Sequence, residues 1–383
     1  MKLFTDIIHS RYLSRPNRFV VHCLVEGRQV RAYLPNPGRM WELLFPGTRL
    51  FLVKFPPSSR RTLAYMVVAV EHNGMPIMLH THYNNLVARK LIEEGRVPGL
   101  EGAAIVKAEH RVGHSRFDFL LRANGQDIVV EVKSCTLFND TLAMFPDAVS
   151  ARATKHLREL AELSRKGIQA AVLFIVHSPK ARYFMPEHHT DLEFCRALLE
   201  VRDKVMVKAL GVEWNRDLSL GGSVRELEIP WDLVERECHD RGSYIIILKL
   251  ARDRKIPVGG LGEVNFKKGY YLYIGSAMKD LSQRIARHRR LTKKNHWHID
   301  HLREHAGFVA AIPVRTGRNL ECSLAEKLGT IADWQVPRFG CSDCSCATHL
   351  FAMEKDPVHT RSFIDMLLHF RMGLLEEELE GRQ

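Results

Sequence analysis

The sequence predicts a multidomain α+β / α/β fold in three parts: a small β-barrel, an α/β domain and a further α+β module. Three observations predict it. At 383 residues and about 150 residues per domain, the chain has room for two or three cores. Its first 80 residues carry short, partly β-branched apolar runs separated by turn residues, the pattern of a small barrel. Beyond them, strand-like and helix-like segments alternate, the pattern of an α/β domain.

Each element has a local reason. Phe19–Val25 is apolar and is followed by the turn-like Glu26-Gly27. Val30–Leu34 alternates and stops at Pro35-Asn36-Pro37-Gly38. Leu50–Phe55 and Ala64–Val70 are further strands, broken by Pro56-Pro57 and Asn73-Gly74. A helix is expected over His82–Glu94, then strands over Ala104–Glu109, Arg116–Leu121 and Ile128–Val132, and a long helix from about Ala148 to Arg165. Ala170–Val176 is continuously apolar, as a strand buried on both faces requires. Gly221-Gly222 reads as a loop, and a boundary is expected near 232–242. Ser243–Leu250 and Tyr270–Ile274 are strands of the next module, with Gly259-Gly260-Leu261-Gly262 as a hairpin between them. Pro357 precedes a last helix, Arg361–Leu379, and the acidic run Glu376–Glu380 reads as a solvated face.

Composition narrows the class. The chain is 45% hydrophobic and 26% charged, which excludes wholesale disorder. No apolar run approaches the about 20 residues of a membrane helix, and the N-terminus lacks the apolar core of a signal peptide. A cytoplasmic protein without a membrane partner is therefore expected. Scattered cysteines suit reduced thiols. The net charge is +12, and residues 242–355 hold 19 Lys/Arg against 10 Asp/Glu. Such an excess favours nucleic acid or another polyanion as partner.

Two constellations carry chemistry. In the first, Glu131 and Lys133 lie two apart on a strand and project from the same face, and Asp118 on a neighbouring strand can join them. Two carboxylates can bind Mg²⁺ or Mn²⁺, and a lysine can position water or stabilise phosphate charge. This is the D…ExK arrangement of the PD-(D/E)XK nucleases. The pattern is short, and Glu-x-Lys also arises as a surface ion pair.

The flanking residues add to it. Lys107-Ala108-Glu109, Ser115–Phe119, Glu131–Ser134, Phe145–Val149 and Lys155–Leu160 occur in an order and spacing that resemble the sugar fermentation stimulation protein (SfsA) family over residues 2–232. Tyr33–Met40 looks like that family's Pro-Asn-Thr-Gly-x-Met segment, with Pro37 in place of Thr. The resemblance implies an OB-like barrel over 1–80, a PD-(D/E)XK nuclease-like α/β domain over 81–232, and DNA binding. It makes Asp118 and Glu131 metal ligands and Lys133 the catalytic lysine. Glu109 becomes a candidate further acid and Lys155 a candidate phosphate or water contact, an ordinary ion pair being the other reading of each.

The second constellation lies in residues 242–353. Gly242-Ser243-Tyr244 and Tyr271-Leu272-Tyr273-Ile274-Gly275 are followed by Arg284 and His288, four apart on one helix face, and by Glu321. A tyrosine hydroxyl can orient or deprotonate water, an arginine can hold a phosphate, and a glutamate can bind a metal. The layout resembles that of GIY-YIG nucleases, with a longer spacing between the two motifs. More closely, Gly269–Ala277, Arg284–His288, His296–Leu302 and Phe339–Cys346 resemble the DUF123 family, which is related to GIY-YIG and has no known function. The resemblance implies a GIY-YIG-like α+β module with Tyr244, Tyr273, Arg284 and Glu321 in the site and His288 beside them. Arg284, Arg287, Arg289, Arg290, Lys293 and Lys294, without an intervening acid, are candidate phosphate contacts. Residues 357–383 form a C-terminal helix and acidic tail.

Cys341, Cys344, Cys346 and His349 have metal-ligand spacing, but zinc is the less favoured reading, because DUF123 relatives often carry Ser at the position of Cys341. His296 and His298 alternate like strand residues. His188-His189 and the His80/His82 pair read as surface or satisfied histidines. No small-molecule cofactor is evident: the glycines at 259–262 lack the setting of a P-loop. The expectation is a DNA-binding protein and metal-dependent nuclease with one or two nuclease-like sites. The rivals are a non-catalytic DNA-binding regulator of sugar metabolism genes and a nuclease acting on RNA.

Overall fold

The computed structural model describes residues 3–56 and 61–381; Pro57 lies outside them. The chain divides into two compact units, one of residues 1–187 and 193–235 and one of 188–192 and 236–383.

The first unit begins with a barrel of β1 (Ile8–Asn17), β2 (Val20–Val25), β3 (Arg28–Tyr33), β4 (Arg49–Lys54) and β5 (Tyr65–His72). The sheet runs β3-β2-β1-β4-β5 and closes through parallel pairing of β3 with β5, with β6 (Met75–Met78) added beside β5. Closure pairs Ala32 and Tyr33 of β3 with Tyr65 and Met66 of β5, and so covers part of the edge that an open sheet would expose. Val21, Cys23 and Val25 alternate inward and meet Tyr12, Leu50, Leu52 and Val67. Strand β1 has no run of apolar residues to announce it. Its Arg15 instead donates to the carbonyls of Asn36, Gly38 and Arg39, so a charged side chain fastens the loop after β3.

Helix α1 (Asn84–Glu93) leads into a meander of β7 (Ala104–Val112), β8 (Ser115–Ala123) and β9 (Gln126–Cys135). A small sheet of β10 (Leu137–Phe138), β11 (Leu142–Phe145) and, later, β13 (Tyr183–Pro186) follows. Helix α2 (Ala151–Arg165) starts at Ser150, whose hydroxyl accepts from the Ala153 N–H. Next come β12 (Gln169–Val176), α3 (Leu192–Val201), β14 (Met206–Trp214), β15 (Leu220–Glu226) and α4 (Trp231–Glu237). The main sheet is ordered β15-β14-β12-β9-β8-β7, with β9, β12 and β14 parallel. Gly221 and Gly222, read as a loop, lie inside β15. A side chain at Gly221 would meet the Glu213 side chain of the paired strand at 2.9 Å, so a larger residue there would crowd it.

The continuous apolar run of β12 has its expected cause. One face packs on α1 through Val87, Leu91 and Ile92, and the other on α2 and α3 through Leu157, Leu160 and Leu198. The same alternation in β9 sends Ile128, Val130 and Val132 to the α1 side and Val129 and Cys135 to the α2 side. Glu131 and Lys133 share the parity of Val129.

The second unit is built on the sheet β20-β16-β19-β22-β21, of β16 (Gly242–Leu250), β19 (Gly269–Ala277), β20 (Gly307–Arg315), β21 (Trp334–Gln335) and β22 (Leu350–Met353). The glycine-rich segment is the tip of a hairpin, β17 (Arg254–Pro257) with β18 (Glu263–Phe266). Helices α5 (Leu281–Arg289), α6 (His298–Arg303) and α7 (Glu321–Gly329) pack here. His298 opens α6 and His296 is in the loop before it, so neither lies on a strand. The last helix is α8 (Arg361–Leu368) and α9 (Leu374–Glu380), separated by a π-helical turn at His369–Gly373. The acidic run is not wholly solvated: Leu375 and Leu379 are buried, and Glu378 accepts two bonds from Arg236.

Within the first unit, Glu42 is buried near Asp147. Burial and then the Asp147 and Glu187 charges push its carboxyl up to about 8. The folded chain thus binds this proton more tightly than the unfolded chain does. The resulting stability is complete below the ordinary carboxylate range and is lost as pH rises toward about 8. Glu42→Gln should therefore melt with wild type near pH ~4 and above wild type near pH ~9 in a pH series of thermal unfolding; coincident curves throughout would refute the assignment.

Candidate functional site

The first constellation assembles where β8 and β9 part. Backbone pairing between them runs from Ala123↔Gln126 to Phe119↔Val130 and then stops. Beyond it, Asp118 Oδ2 takes the N–H of Val132 at 2.7 Å, and Asp118 Oδ1 accepts from Asn85 Nδ2 of α1 at 2.7 Å. A carboxylate thus replaces a ladder bond, and the splayed strands leave a cleft of about 470 Å³. Asp118, Glu131, Lys133 and Glu109 all line it.

Glu131 is buried, its side chain 5% exposed. Its Oε1 is shared by Lys133 Nζ and by His156 Nδ1, the latter at 2.6 Å. Its Oε2 is buried and has no hydrogen-bond partner. Burial raises the Glu131 pKa, but the bonds from His156 and Lys133 outweigh it and hold the carboxyl below its ordinary range. Asp118 is pushed the other way, first by burial and then by the neighbouring Glu131 charge. Two carboxylates side by side, one with an orphan oxygen, form a donor set that fits a hard divalent cation. Asp118 and Glu131 are the residues that could hold it.

Ser134 also lines the cleft. Trp214 Nε1 donates to His177 Nδ1 at 3.0 Å, which leaves the His177 Nε2–H for Ser134 Oγ at 3.0 Å. Burial pushes His177 down to about 3, so the ring stays neutral and its tautomer is fixed. The barrel supplies Asn36, Pro37 and Gly38 to the same cleft, opposite Pro146 and Asp147. A Cβ on Gly38 would lie 2.3 Å from Asp147 Oδ2. Arg18, Arg116 and Arg152, all exposed, stand at the rim.

One expected residue, Lys155, lies outside the cleft, and another, Glu109, only lines it from an exposed position. Lys155 does not line the cleft; it is 58% exposed and lies 3.6 Å from Glu159, one turn along α2. The next residue, His156, reaches Glu131 instead, because the buried face of α2 includes 153, 156, 157 and 160. Glu109 is 67% exposed, 3.5 Å from Arg116; such an exposed pair contributes little. The motif spacing pointed to neither Asn85 nor His156. The polar His156 on an otherwise apolar helix face was the available signal for the second.

The second constellation is also brought together. Tyr244 on β16 and Tyr273 on β19 are buried, in register as Tyr244↔Gly275 and Ile246↔Tyr273. Tyr244 Oη lies 2.9 Å from His288 Nε2. Burial raises both tyrosines above their ordinary pKa, so they stay protonated. Arg284 stacks on Trp297 at 4.5 Å and is close enough to Tyr244 to lower its pKa in opposition to burial. Both oxygens of Glu321 have neighbours: Ser276 Oγ donates to Oε2, and His349 Nδ1 lies 2.9 Å from Oε1.

The basic run divides. Asp300 is fully buried and lies 3.1 Å from Arg287 and 2.7 Å from Lys293. Burial raises its pKa, but His288, Lys293 and the N–H groups of His296 and Trp297 outweigh that and hold it well below the carboxylate range. Arg287 and Lys293 are thus committed to an internal ion cluster, which the absence of an acid inside the run had hidden. Arg289, Arg290 and Lys294 remain exposed. The cysteine set differs from the expected one: Cys344, Cys346 and His349 gather with Cys322 of α7, and Cys341 is outside the group. His188 and His189 are buried and satisfied, both bonded to Arg315.

The chain belongs to the sugar fermentation stimulation protein family. The family model for the SfsA N-terminal OB domain matches residues 13–79, and that for the sugar fermentation stimulation protein RE domain matches 82–217. The model for a domain of unknown function, DUF123, matches 243–372. A sugar fermentation stimulation protein homolog of Methanothermobacter thermautotrophicus is 38% identical, over 58% of this chain and 94% of the relative. One from Syntrophotalea carbinolica is 39% identical, over 52% and 86%. The solved structure of Pyrococcus furiosus SfsA in complex with Ca²⁺ is 31% identical, with a TM-score of 0.55, and covers 60% of this chain and 99% of that one. No helix among the described residues is long and apolar enough to cross a membrane.

Gly275 offers a check on the second constellation. A Cβ there would lie 2.4 Å from Tyr244 Oη, so Gly275→Ala should displace the ring from His288. The expected cost is about 1–3 kcal/mol, the range for overpacking a core, read by denaturant unfolding of the full chain; an unchanged midpoint would contradict this packing.

Proposed function

We propose that this chain binds nucleic acid, DNA in preference to RNA, and cleaves phosphodiester bonds with Mg²⁺ or Mn²⁺ held by Asp118 and Glu131. The observation that carries the reading is the buried, unpartnered Oε2 of Glu131 on β9 beside a second carboxylate, Asp118 on β8. A buried acceptor without a partner is costly, and a cation would relieve both it and the repulsion from Asp118. The Ca²⁺ complex of the Pyrococcus relative is consistent with a hard-cation site in this family.

The chain's own groups have separable tasks. Asn85 and the Val132 N–H fix Asp118; Lys133 and His156 occupy Oε1 of Glu131 and so leave Oε2 available. Lys133 also carries the positive charge nearest the two acids, suited to a developing phosphate charge. Ser134, with its acceptor side met by His177, keeps a hydroxyl proton for the cleft. Arg18, Arg116 and Arg152 at the rim suit a phosphate backbone, and an OB barrel suits unpaired strands. When bound, the cation supplies an acidified water and charge neutralisation at the phosphate.

The second unit reads as a GIY-YIG-like module. Its tyrosines, kept protonated by burial, orient rather than deprotonate, and neither oxygen of Glu321 is a buried orphan as Oε2 of Glu131 is. We therefore assign cutting to the first unit and phosphate contact to Arg284, Arg289, Arg290 and Lys294 of the second.

Labelled single-stranded, duplex and branched DNA and matched RNA, with Mg²⁺ or Mn²⁺, test this. Glu131→Gln should lower cleavage by about 10²–10³-fold, the range for losing one preorganised electrostatic group, with binding intact. Glu321→Gln should retain cleavage. Loss with Glu321→Gln alone would move the active site to the second unit. Salt-sensitive binding with no cleavage under any condition would leave a non-catalytic DNA-binding regulator, and cleavage of RNA alone would reverse the substrate preference.

A further inference from the structure

We propose that Cys322, Cys344, Cys346 and His349 form a structural zinc site in the second unit. Their ligand atoms all lie within 4.8 Å of one another, and Cys344 Sγ is 3.4 Å from His349 Nε2. Tetrahedral zinc, with bonds of about 2.3 Å to sulfur and about 2.0 Å to nitrogen, needs ligand atoms roughly 3.4–3.8 Å apart. The four groups are nearly there without a metal. Three thiols and an imidazole, with no carboxylate among them, are a soft donor set that suits zinc and not Mg²⁺ or Ca²⁺. Four protein ligands fill the tetrahedron, so no position is left open for water or substrate, which marks a structural site. Binding exchanges the thiol protons for the metal and involves no change of oxidation state.

The local fold gives the site a task. Between β21 and β22 the chain makes turns and bends, and backbone bonds tie it only near the ends of the excursion, from Arg338 to Ala347 and from His349 to Phe339. Cys344 and Cys346 lie inside the excursion, while Cys322 is the second residue of α7. A zinc ion would staple the turn to the helix. It would hold His349 through Nε2 and leave Nδ1 facing Glu321 Oε1, 2.9 Å away. A carboxylate behind a metal-bound imidazole is a recurrent outer-shell arrangement. Glu321 is then a positioning residue for the metal site. The set cannot be chosen from loop spacing, because Cys341 stands in the same turn and Cys322 arrives from a distant helix. The inference does not rest on nuclease activity in either unit.

The test uses the full chain, purified under reducing conditions without chelator, and elemental analysis. One zinc per chain is expected; Cys322→Ser and Cys344→Ser should lose it, and Cys341→Ser should keep it. Cobalt(II) added to the metal-depleted wild type should give the visible absorption of a tetrahedral ion with thiolate charge transfer, and zinc should abolish it. The wild-type cobalt spectrum decides the matter even if a variant does not fold. Wild type with only trace zinc and no such spectrum overturns the proposal. So does zinc lost in Cys341→Ser and kept in Cys322→Ser, or a disulfide among Cys322, Cys344 and Cys346 in the reduced, purified chain.

Discussion

The first unit is organised around one buried charge. Glu131 sits mid-strand on β9, under α2, where an isolated carboxylate could not remain ionised. Lys133 and His156 make it tolerable by converging on one oxygen. That convergence dictates much else. Lys133 must be two residues on, so that it shares the face. His156 must occupy the apolar side of α2, where a leucine would be expected. Asp118 must leave the β8–β9 ladder, and Asn85 must come from α1 to hold it. Replacing any single partner leaves a buried charge or an unmet donor, which costs more than the pair contributes.

The barrel is part of the same arrangement. Arg15 gathers three carbonyls of the loop after β3, and Gly38 lets that loop close onto Asp147, whose carboxylate also accepts the Met40 N–H. The wall of the cleft is therefore made by two sequence-distant turns. The proton on Glu42 belongs to this junction, because burial first, and then the neighbouring Asp147 and Glu187, disfavour a charged carboxylate there.

The two constellations differ in what their glutamates have left to offer. Glu131 keeps an oxygen unpartnered, whereas Glu321 faces Ser276 on one side and His349 on the other. Residue type and order gave both the same standing; the distribution of partners separates them. The same holds for the basic run, in which a single buried acid, Asp300, takes Arg287 and Lys293 out of the surface charge.

The sequence by itself determined the strands with apolar alternation, the long helix α2 and the D…ExK and tyrosine motifs, because each depends on local periodicity or on spacing within one hairpin or helix. It did not reveal β1, whose alternation is polar, or the strand through Gly221 and Gly222, where pairing with β14 overrides the low strand propensity of glycine. Only the tertiary structure decided which neighbours complete the sites. Asn85, His156, Asp300 and Cys322 each come from an element remote in sequence, and no spacing rule connects them to Asp118, Glu131, Lys293 or Cys344. Which acids share a cleft, and which oxygen is left without a partner, depends on how helices cover the sheet, a long-range packing outcome that a one-dimensional pattern does not encode.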